Sequence, residues 1–478
     1  MTSVIANALA MLAAKLLPPV FAFAVHVSVA RLAGPETLGA YVHLLALLMI
    51  FQAMAGAGMQ FLVTREIAAF PAQADAHVQQ ARAFGLLSGG LATIAYLAYA
   101  FWLLPPGERM PAMALSLTVL PSAWIALQEA IFVATRTHHW IAIVAIVENS
   151  LKMGIAVVGL LTGHGLLTIC IGIAIARVAA LATGAWLLRR GRLPASWHMD
   201  FARLLPFVKA IVPFAMLFVL SMTYFRIDIA IVQAIGNSAI TTGFYGAAAT
   251  LFGAVLLLPE SLMATAYPRL AARFHTSSDS YAQTTWLVAK LLCLALAGVA
   301  FGIICFADVM IGTVYGARFA ASVPVLRLLA LSLPFHALNG ALGQALQARG
   351  EQRAMVGIVT TGVIAHVILN IVLVSTLGIT GAAISMLISS GCVGLGAVIA
   401  IHRRVAPVRL TPAVFAALLP IVGPLVLATV APPAYRWPVF LIGLVWIGIG
   451  SFWHGTLSKT EVTDVLAALG TRPAGAPA

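Results

Sequence analysis

The residues of this chain that could do chemistry are ionisable side chains inside long apolar segments. The densest group is the run Tyr224-Phe225-Arg226-Ile227-Asp228, and Glu148, Lys152 and Arg177 stand inside two other segments. A charged side chain at the centre of a membrane-spanning helix costs about 2.5–3.5 kcal/mol on insertion scales, so such groups normally face a helix-bundle interior or a water-filled cavity. These residue types indicate a path for a charged substrate or an ion.

Helical spacing decides which of these charges can pair with each other. Arg226 and Asp228 are two residues apart, which places their side chains about 200° apart, so each needs its own partner or the helix is locally unwound. Glu148 and Lys152 have the i, i+4 spacing of an intrahelical ion pair, and mutual neutralisation is the alternative to a role in a cavity. Arg177 lies too deep in its segment to reach the interface easily, which favours a cavity-facing position.

Further ionisable residues lie in the first segment and near segment ends. Lys15 and His26 are 11 residues apart, which is three turns plus about 20°, and therefore share one face of a helix. The alternative for Lys15 is that it extends toward the cytoplasmic interface. Glu129 and Glu260 are nearer the predicted cytoplasmic ends, and Glu260 follows Pro259, where a kink would leave carbonyl groups to satisfy.

The composition excludes a water-soluble protein. Of 478 residues, 62% are hydrophobic and only 9% are charged, whereas soluble domains have about 25% charged residues. Long disorder needs the opposite composition. The formal net charge of +13 comes from basic residues scattered between apolar runs, so it does not indicate a nucleic-acid surface. The four cysteines show no metal-ligand spacing, and the class that is left is a polytopic membrane protein.

Fourteen apolar segments are long enough to cross a bilayer, which takes about 20 residues each. The first extends to about residue 30 without a cationic start, which predicts a retained helix rather than a cleaved signal. The predicted spans, in chain order, are 8–30, 38–62, 83–104, 112–134, 141–160, 166–188, 210–235, 241–265, 287–307, 323–347, 354–375, 379–400, 412–431 and 437–455.

Basic residues in the short loops predict the orientation of these spans. If the N-terminus is cytoplasmic, the inner loops and tail hold seventeen Lys and Arg residues. The outer loops then hold only Arg31, Arg109, Arg318 and Arg436. Both termini are therefore expected on the cytoplasmic side.

The sequence also repeats itself. Tyr41 precedes Arg65 by 24 residues, and Tyr245 precedes Arg269 by 24. Each unit has six spans, an even number, so the units share one orientation and a pseudo-two-fold axis along the membrane normal is predicted. Transporters commonly place the substrate path between such repeats. The expected division is an N-terminal lobe at 1–205, a C-terminal lobe at 206–404, two extra helices at 405–456 and a cytoplasmic tail at 457–478.

The repeat further suggests a gate. Aligning Gly34 with Gly236 places His26 and Asp228 at equivalent positions. The two side chains could then face one another near the pseudo-axis as a titratable gate. Transport at the wild-type rate by a His26→Ala/Asp228→Asn double variant would exclude this hypothesis.

The sequence contains no motif for covalent or nucleotide chemistry. There is no Walker A loop, no glycine-rich dinucleotide motif, no His-Glu-x-x-His and no Gly-x-Ser-x-Gly. The pair His138-His139 lies in an inner loop beside Trp140, which favours a structural or interfacial role over metal binding. We therefore expect a transporter rather than an enzyme, with no cofactor, no metal ion and no catalytic residue.

Several motifs, in order from Arg31 to Ile384, carry a resemblance to a known family. The chain resembles the lipid-linked oligosaccharide flippases, the Wzx-type polysaccharide exporters of the multidrug/oligosaccharidyl-lipid/polysaccharide exporter superfamily. The resemblance covers essentially the whole chain. It rests on Arg31-Leu-Ala-Gly34-Pro35-Glu36-x-x-Gly39-x-Tyr41, Arg65-Glu66-Ile67-Ala68, Tyr224-x-Arg226-Ile227-Asp228, Gly243-Phe244-Tyr245, Leu258-Pro259, Pro268-x-Leu270, Leu326-Arg327-Leu328-Leu329, Leu346-Gln-Ala-Arg-Gly350 and Gly381-Ala382-Ala383-Ile384.

This resemblance implies two six-helix lobes around a central cavity, two extra C-terminal helices, and a location in the bacterial inner membrane. It implies transfer of a polyprenyl-pyrophosphate oligosaccharide to the periplasmic leaflet by alternating access, for surface or exopolysaccharide synthesis. Membrane lipid and the polysaccharide polymerase and chain-length machinery are the implied partners, and no nucleic acid is expected. Such cavities are typically cationic, to hold the pyrophosphate.

The candidate site residues follow from the resemblance and from the charge analysis together. The family motif supplies Arg226 and Asp228, and Arg65 and Arg269 are candidates for first contact with the pyrophosphate. Four more cavity candidates follow from the positions of ionisable residues inside the apolar segments: Lys15, His26, Lys152 and Arg177. Candidates for ion coupling are Asp228, Glu148 and Glu260.

Three alternative functions are weighed against the oligosaccharide flippase. A multidrug exporter usually has twelve spans and an acidic cation site. A peptidoglycan-precursor flippase shares the architecture. A membrane-embedded polymerase or ligase usually has a large periplasmic loop, but the longest predicted outer loop here runs only from about Asp308 to Ser322.

Overall fold

The computed structural model describes residues 2–163, 165–194, 198–236, 238–274, 278–404 and 435–453, with side chains for 17–163, 165–194, 198–236, 238–257, 285–403 and 435–451.

Across these ranges the chain is helical and has no β-strand. Helices are what apolar runs form in a bilayer, since each backbone N–H and C=O must be hydrogen-bonded within the segment. The helices are α1 Thr2–Gly56, α2 Met59–Ala69, α3 Ala74–Leu103, α4 Pro106–Ser116, α5 Val119–Ala134, α6 His138–Leu161, α7 Gly165–Arg190, α8 Leu204–Gly236, α9 Ala239–Phe274, α10 Ser278–Val314, α11 Ser322–Ala330, α12 Leu333–Ala348, α13 Gln352–Leu377, α14 Ile379–Arg404 and α15 Arg436–Trp453.

Ten helical stretches within the described ranges are long and apolar enough to cross a membrane, and the bent pair of α11 and α12 makes eleven. One stretch, Leu17–Ala69, has 53 residues and as a straight helix would measure about 80 Å, more than twice the hydrocarbon thickness. It breaks at Gly34, whose φ of 82° lies outside a right-handed helix, and Pro35 follows. The predicted spans 8–30 and 38–62 therefore meet at a kink rather than at a loop.

Two predicted spans, one in each half of the sequence, contain a break in the helix at a buried hydroxyl residue. The hydroxyl of Thr118, just before α5, donates to the Leu115 carbonyl at 2.7 Å. The hydroxyl of Ser332, just before α12, donates to the Leu329 carbonyl at 2.7 Å. Both hydroxyl residues are fully buried, and each adds a second hydrogen bond to a carbonyl that already accepts its own backbone N–H. The predicted spans at 112–134 and 323–347 are therefore each built from two helices.

The all-α membrane fold expected from the sequence is confirmed. The last predicted span, at 437–455, corresponds to α15, which has 18 residues. The predicted span at 412–431 and the predicted tail at 457–478 lie outside the described residues. The total of fourteen spans and the cytoplasmic position of both termini stay predictions.

Backbone proximity groups the described residues into two compact units. The first lies within Met1–Thr250, Val314–Ala321 and Val363–Ala382, and the second within Leu251–Thr313, Ser322–Gly362 and Ala383–Ala478. Neither unit ends at the predicted lobe boundary of residue 205, and that boundary stays a prediction.

In the second unit, α15 packs against α10. Arg436 Nη2 donates to Asp308 Oδ2 at 2.5 Å, and the rings of Phe301 and Phe440 stack with centroids 6.0 Å apart. An ion pair and an aromatic contact therefore fix the last described helix to its neighbour.

In the first unit, α1 and α9 cross at two glycines. A Cβ atom on Gly39 would lie 1.7 Å from the carbonyl oxygen of Ala239, and one on Gly243 would lie 2.0 Å from the carbonyl oxygen of Pro35. Only glycine allows two backbones to approach this closely. Gly39 and Gly243 precede Tyr41 and Tyr245 by two residues each, so they are equivalent positions of the sequence repeat.

Candidate functional site

The most deeply buried charged group of the predicted site is Asp228, on α8. Its side chain accepts hydrogen bonds from the Tyr245 hydroxyl of α9 and from the Ile229 backbone N–H at 2.8 Å. α8 continues as a helix through this point, so the unwound alternative does not occur. Asp228 therefore has its own partner, as its two-residue spacing from Arg226 requires.

Arg226 lies half-buried two residues earlier on α8. No ion pair joins it to a carboxylate among the described side chains, and its buried Nε atom has no hydrogen-bond partner. Its guanidinium lies within electrostatic reach of His26 and of Asp228. A guanidinium with N–H groups to spare matches the geometry of a phosphate oxygen pair, so Arg226 stays a candidate anion-binding group among the described side chains.

Aromatic and polar side chains of α13 complete the surroundings of this motif. The ring of His366 lies 4.9 Å from that of Tyr224, and Asn370 Nδ2 lies 3.2 Å from His366 Nε2. Both His366 and Asn370 are fully buried. Neither residue is among the site residues predicted from the sequence, although a histidine and an asparagine four residues apart in an apolar span are a signal for such a site.

The first half of the chain has a matching arrangement around His26. Its ring packs edge-on against Tyr41 at 5.1 Å between centroids, and its Nδ1 atom hydrogen-bonds the Ala22 carbonyl at 2.8 Å. Tyr41 and Tyr245 are equivalent positions of the sequence repeat. Tyr41 contacts His26, whereas Tyr245 contacts Asp228. No hydrogen bond or ion pair joins His26 to Asp228 in the described part of the chain, and the gate between them stays a prediction.

A second group of charges lies in the first unit between α5, α6 and α7. Glu148 receives Lys152 Nζ at 3.3 Å and Arg177 Nη1 at 3.3 Å. The i, i+4 pair expected from the sequence is therefore present, and Arg177 joins it from the next helix. The group lines a cleft of about 270 Å³ together with Gln128, Glu129, Asn149 and several apolar side chains.

The charges of this cleft nearly balance. Glu148 is 8% exposed and is held by two cations, whereas Glu129 forms no described hydrogen bond or ion pair. Arg177 keeps a buried Nε atom without a hydrogen-bond partner. Two cations against two carboxylates leave this cleft without a net positive charge.

The remaining candidates differ in how far the structure describes them. Arg65 is exposed at the end of α2, pairs with the neighbouring Glu66 at 2.7 Å and lies 5.4 Å above the Phe214 ring. The side chains of Lys15, Arg269 and Glu260 lie outside the described residues. No three His, Cys, Asp or Glu residues in the described ranges lie close enough to hold a metal ion.

At least ten membrane-length helices in the described ranges, with charged groups buried among them, define a polytopic membrane protein. The chain belongs to the polysaccharide biosynthesis protein family, whose pattern matches residues 28–324. This membership confirms the resemblance found in the sequence and the prediction that the class is a transporter rather than an enzyme.

Relatives and solved structures agree with this family. The chain is 25% identical over 150 residues to the probable low-salt glycan biosynthesis flippase Agl15 of Haloferax volcanii, an alignment that spans 31% of each chain. It is similar in fold to the lipid II flippase MurJ in an inward closed conformation, with a TM-score of 0.72, 15% identity, and coverage of 93% of this chain and 98% of that one. An inward-facing multidrug resistance MATE transporter of the MOP superfamily matches with a TM-score of 0.66 and 13% identity over 83% of this chain and 98% of that one.

Proposed function

We propose that this protein is a flippase that moves polyprenyl-pyrophosphate-linked oligosaccharide units from the cytoplasmic to the periplasmic leaflet, for surface or exopolysaccharide synthesis. The observation that carries the proposal is the unpartnered guanidinium edge of Arg226 inside a membrane span. A pyrophosphate supplies the oxygens that such a group needs, because bidentate Arg–phosphate pairs are strong and geometrically specific. The family and the flippase names of two similar proteins support the same substrate class.

The site residues are assigned roles on this basis. Arg65 and Arg269 make first contact with the pyrophosphate at the cytoplasmic ends of their spans. Arg226 then binds it within the cavity, with Lys15, Lys152 and Arg177 as further cations. Asp228, Glu148 and Glu260 are the candidates for ion coupling, and His26 with Asp228 forms the gate.

The proposed setting is the inner membrane of a bacterium, with both termini in the cytoplasm. The lobes at 1–205 and 206–404 alternate access to the substrate, and the extra helices at 405–456 and the tail at 457–478 lie outside the repeat. The backbone contact between Gly39 and Gly243 then opens and closes, since equivalent segments of the two lobes meet there. The polysaccharide polymerase and chain-length machinery would receive the product.

Deletion of the gene and analysis of the lipid pool test this function. In the deletion strain we expect intact polyprenyl-pyrophosphate oligosaccharide to be trapped on the cytoplasmic side. Expression of the wild-type chain should restore export. The control variant Arg203→Ala, whose side chain is 70% exposed in the wild type, should restore it as well. Arg226→Ala should insert normally and fail to restore export. Accumulation of unpolymerised repeat units in the periplasm would overturn the proposal and favour a polymerase or ligase.

A lipid II flippase is the second candidate, because the MurJ fold covers nearly the whole chain. Two results together would favour this candidate. The chain would rescue cells depleted of their own lipid II flippase, and the glycan lipid pool of the deletion strain would be unchanged. Altered drug susceptibility without either lipid change would favour a cation-coupled multidrug exporter, whose fold is also similar.

A further inference from the structure

The cleft between α5, α6 and α7 combines charged and amide groups with an apolar wall. Its volume of about 270 Å³ is just below the range of about 300–1,000 Å³ that drug-sized ligands occupy, so it fits one sugar residue and excludes a whole oligosaccharide. We propose that this cleft binds an uncharged sugar residue of the transported glycan. This inference deepens the proposed flippase function and rests on it.

The charge balance of the cleft favours an uncharged ligand. Lys152 and Arg177 both pair with Glu148 at 3.3 Å, and Glu129 contributes a second carboxylate. An acidic sugar would add a negative charge beside two carboxylates, and the ammonium form of an amino sugar would add a third cation. Either one brings a charge that nothing in the cleft compensates, which costs free energy. A neutral sugar enters without disturbing this balance.

The same side chains have hydrogen-bonding capacity left for hydroxyl groups. Glu129 forms no hydrogen bond or ion pair among the described side chains, so its carboxylate is available to accept hydroxyl protons. Arg177 has a buried Nε atom without a hydrogen-bond partner, and Lys152 donates one described hydrogen bond, to Glu148. Sugar hydroxyl groups both donate and accept, so they match a wall that offers acceptors beside donors. Lys152 and Arg177 then bind the glycan as hydrogen-bond donors, which refines the role given to them above.

Two buried amides complete the polar wall. Asn149 Nδ2 donates to the Ala145 carbonyl at 2.8 Å, and Gln128 Nε2 donates to the Leu181 carbonyl at 3.1 Å. A Cβ atom on Gly184 would lie 2.1 Å from Gln128 Oε1, so glycine is what leaves room for this amide. Helix packing therefore fixes the polar groups before a ligand arrives.

The apolar part of the lining matches the C–H face of a sugar ring. It includes Pro18 of α1, Phe132 of α5 and Val144 of α6. The Phe132 ring packs edge-on against Trp140, with 5.6 Å between the ring centroids, which holds it in place. A pyranose ring has hydroxyl groups at its edge and C–H groups on its faces, so it can use both kinds of wall at once.

Saturation-transfer NMR with free sugars tests binding to the purified full-length protein in detergent. The probes are methyl glucoside and N-acetylglucosamine, which are uncharged, and glucuronate, which is acidic. We expect the wild type to bind the uncharged probes more tightly than glucuronate. Glu129→Gln should weaken binding of the uncharged probes about five-fold, since a charged acceptor is lost, and should strengthen binding of glucuronate, since the cleft becomes net positive. The matched control Glu36→Gln, at an exposed glutamate, should change neither.

A second variant occupies the cleft without changing any charge. Ala145 lines it, so Ala145→Leu should abolish binding of both uncharged probes. Gly154→Leu on the same helix, where a Cβ atom would meet open space, should bind them as the wild type does. Binding of the uncharged probes by Ala145→Leu at the wild-type affinity, or tighter binding of glucuronate by the wild type, overturns the proposal.

Flipping of polyprenyl-pyrophosphate oligosaccharide in proteoliposomes distinguishes the transported glycan from a free sugar as the occupant. We expect Ala145→Leu to flip it several-fold more slowly than Gly154→Leu does. Flipping by Ala145→Leu at the wild-type rate would show that the cleft takes a free sugar only, and would overturn the assignment to the glycan. Absence of flipping by the wild type refutes the proposed function instead, and the NMR titrations still decide whether the cleft is a sugar site.

Discussion

Gly39 of α1 and Gly243 of α9 occupy equivalent positions of the sequence repeat and lie against each other. A Cβ atom on Gly39 would stand 2.8 Å from the Gly243 backbone nitrogen, and one on Gly243 would stand 3.2 Å from the Gly39 nitrogen. A direct contact between equivalent residues is what a pseudo-two-fold axis produces where it passes between two helices. In the proposed alternating-access cycle, this crossing would be a pivot or closing point.

A methyl group at this crossing should disturb the closed contact. We expect Gly243→Ala to lower the melting temperature of the purified protein, because overpacking against backbone costs about 1–3 kcal/mol. Gly253→Ala, on the same helix with nothing within 4 Å of its Cβ, should leave the melting temperature equal or raise it. Equal melting temperatures for the wild type and Gly243→Ala would contradict the tight crossing.

The two equivalent tyrosines should respond differently to loss of the hydroxyl. Tyr245→Phe removes the hydroxyl that donates to buried Asp228, and an unsatisfied buried group costs about 1–3 kcal/mol. Tyr41→Phe retains the ring contact with His26 and should cost less. Thermal unfolding of both variants measures the difference, and a larger loss for Tyr41→Phe would contradict the assigned bond.

Removing Glu148 should cost more than removing either of its cations. Glu148→Gln removes the only carboxylate that forms a described ion pair with Lys152 and Arg177, and breaking a buried ion pair costs up to about 3–5 kcal/mol. Arg177→Gln leaves Glu148 paired with Lys152 at 3.3 Å, so its cost should be smaller. Denaturation of the single and double variants in detergent measures the loss of unfolding free energy in each. A larger loss for Arg177→Gln than for Glu148→Gln would be inconsistent with a carboxylate shared by both cations.

The kink of α1 depends on the backbone freedom of glycine. Gly34→Ala forces a side chain into a backbone conformation with φ 82° and ψ −177°, a region that is essentially restricted to glycine and costs other residues about 1–3 kcal/mol. Gly154→Ala, in α6 with open space around it, is the control, since an alanine there should be neutral or stabilising. If the melting temperature falls equally in both variants, the positive φ of Gly34 is not the cause of the lost stability.

Local sequence signals predicted the helices and the local ion pair, because hydrophobic periodicity and i, i+4 spacing are properties of one segment. Glu148 with Lys152 is an example. The bond between Tyr245 and Asp228 was not predicted in advance, since it depends on how two separate helices pack. Glu108 fell outside every predicted span, and its burial against His43 could not be read from its neighbours in sequence. The breaks at Thr118 and Ser332 were missed for a different reason, because the apolar pattern continues across them.

In the proposed function, this chain moves a polyprenyl-pyrophosphate oligosaccharide across the bilayer with Arg226 as an anion-binding group. The most direct measurement is the fraction of labelled lipid-linked oligosaccharide that reaches the opposite leaflet of proteoliposomes, detected by a glycan-cleaving enzyme added outside. We expect rapid exposure of the labelled lipid with the wild type and with Arg203→Ala, and loss of that exposure with correctly inserted Arg226→Ala. Exposure by Arg226→Ala at the wild-type rate, or none by the wild type, would contradict it.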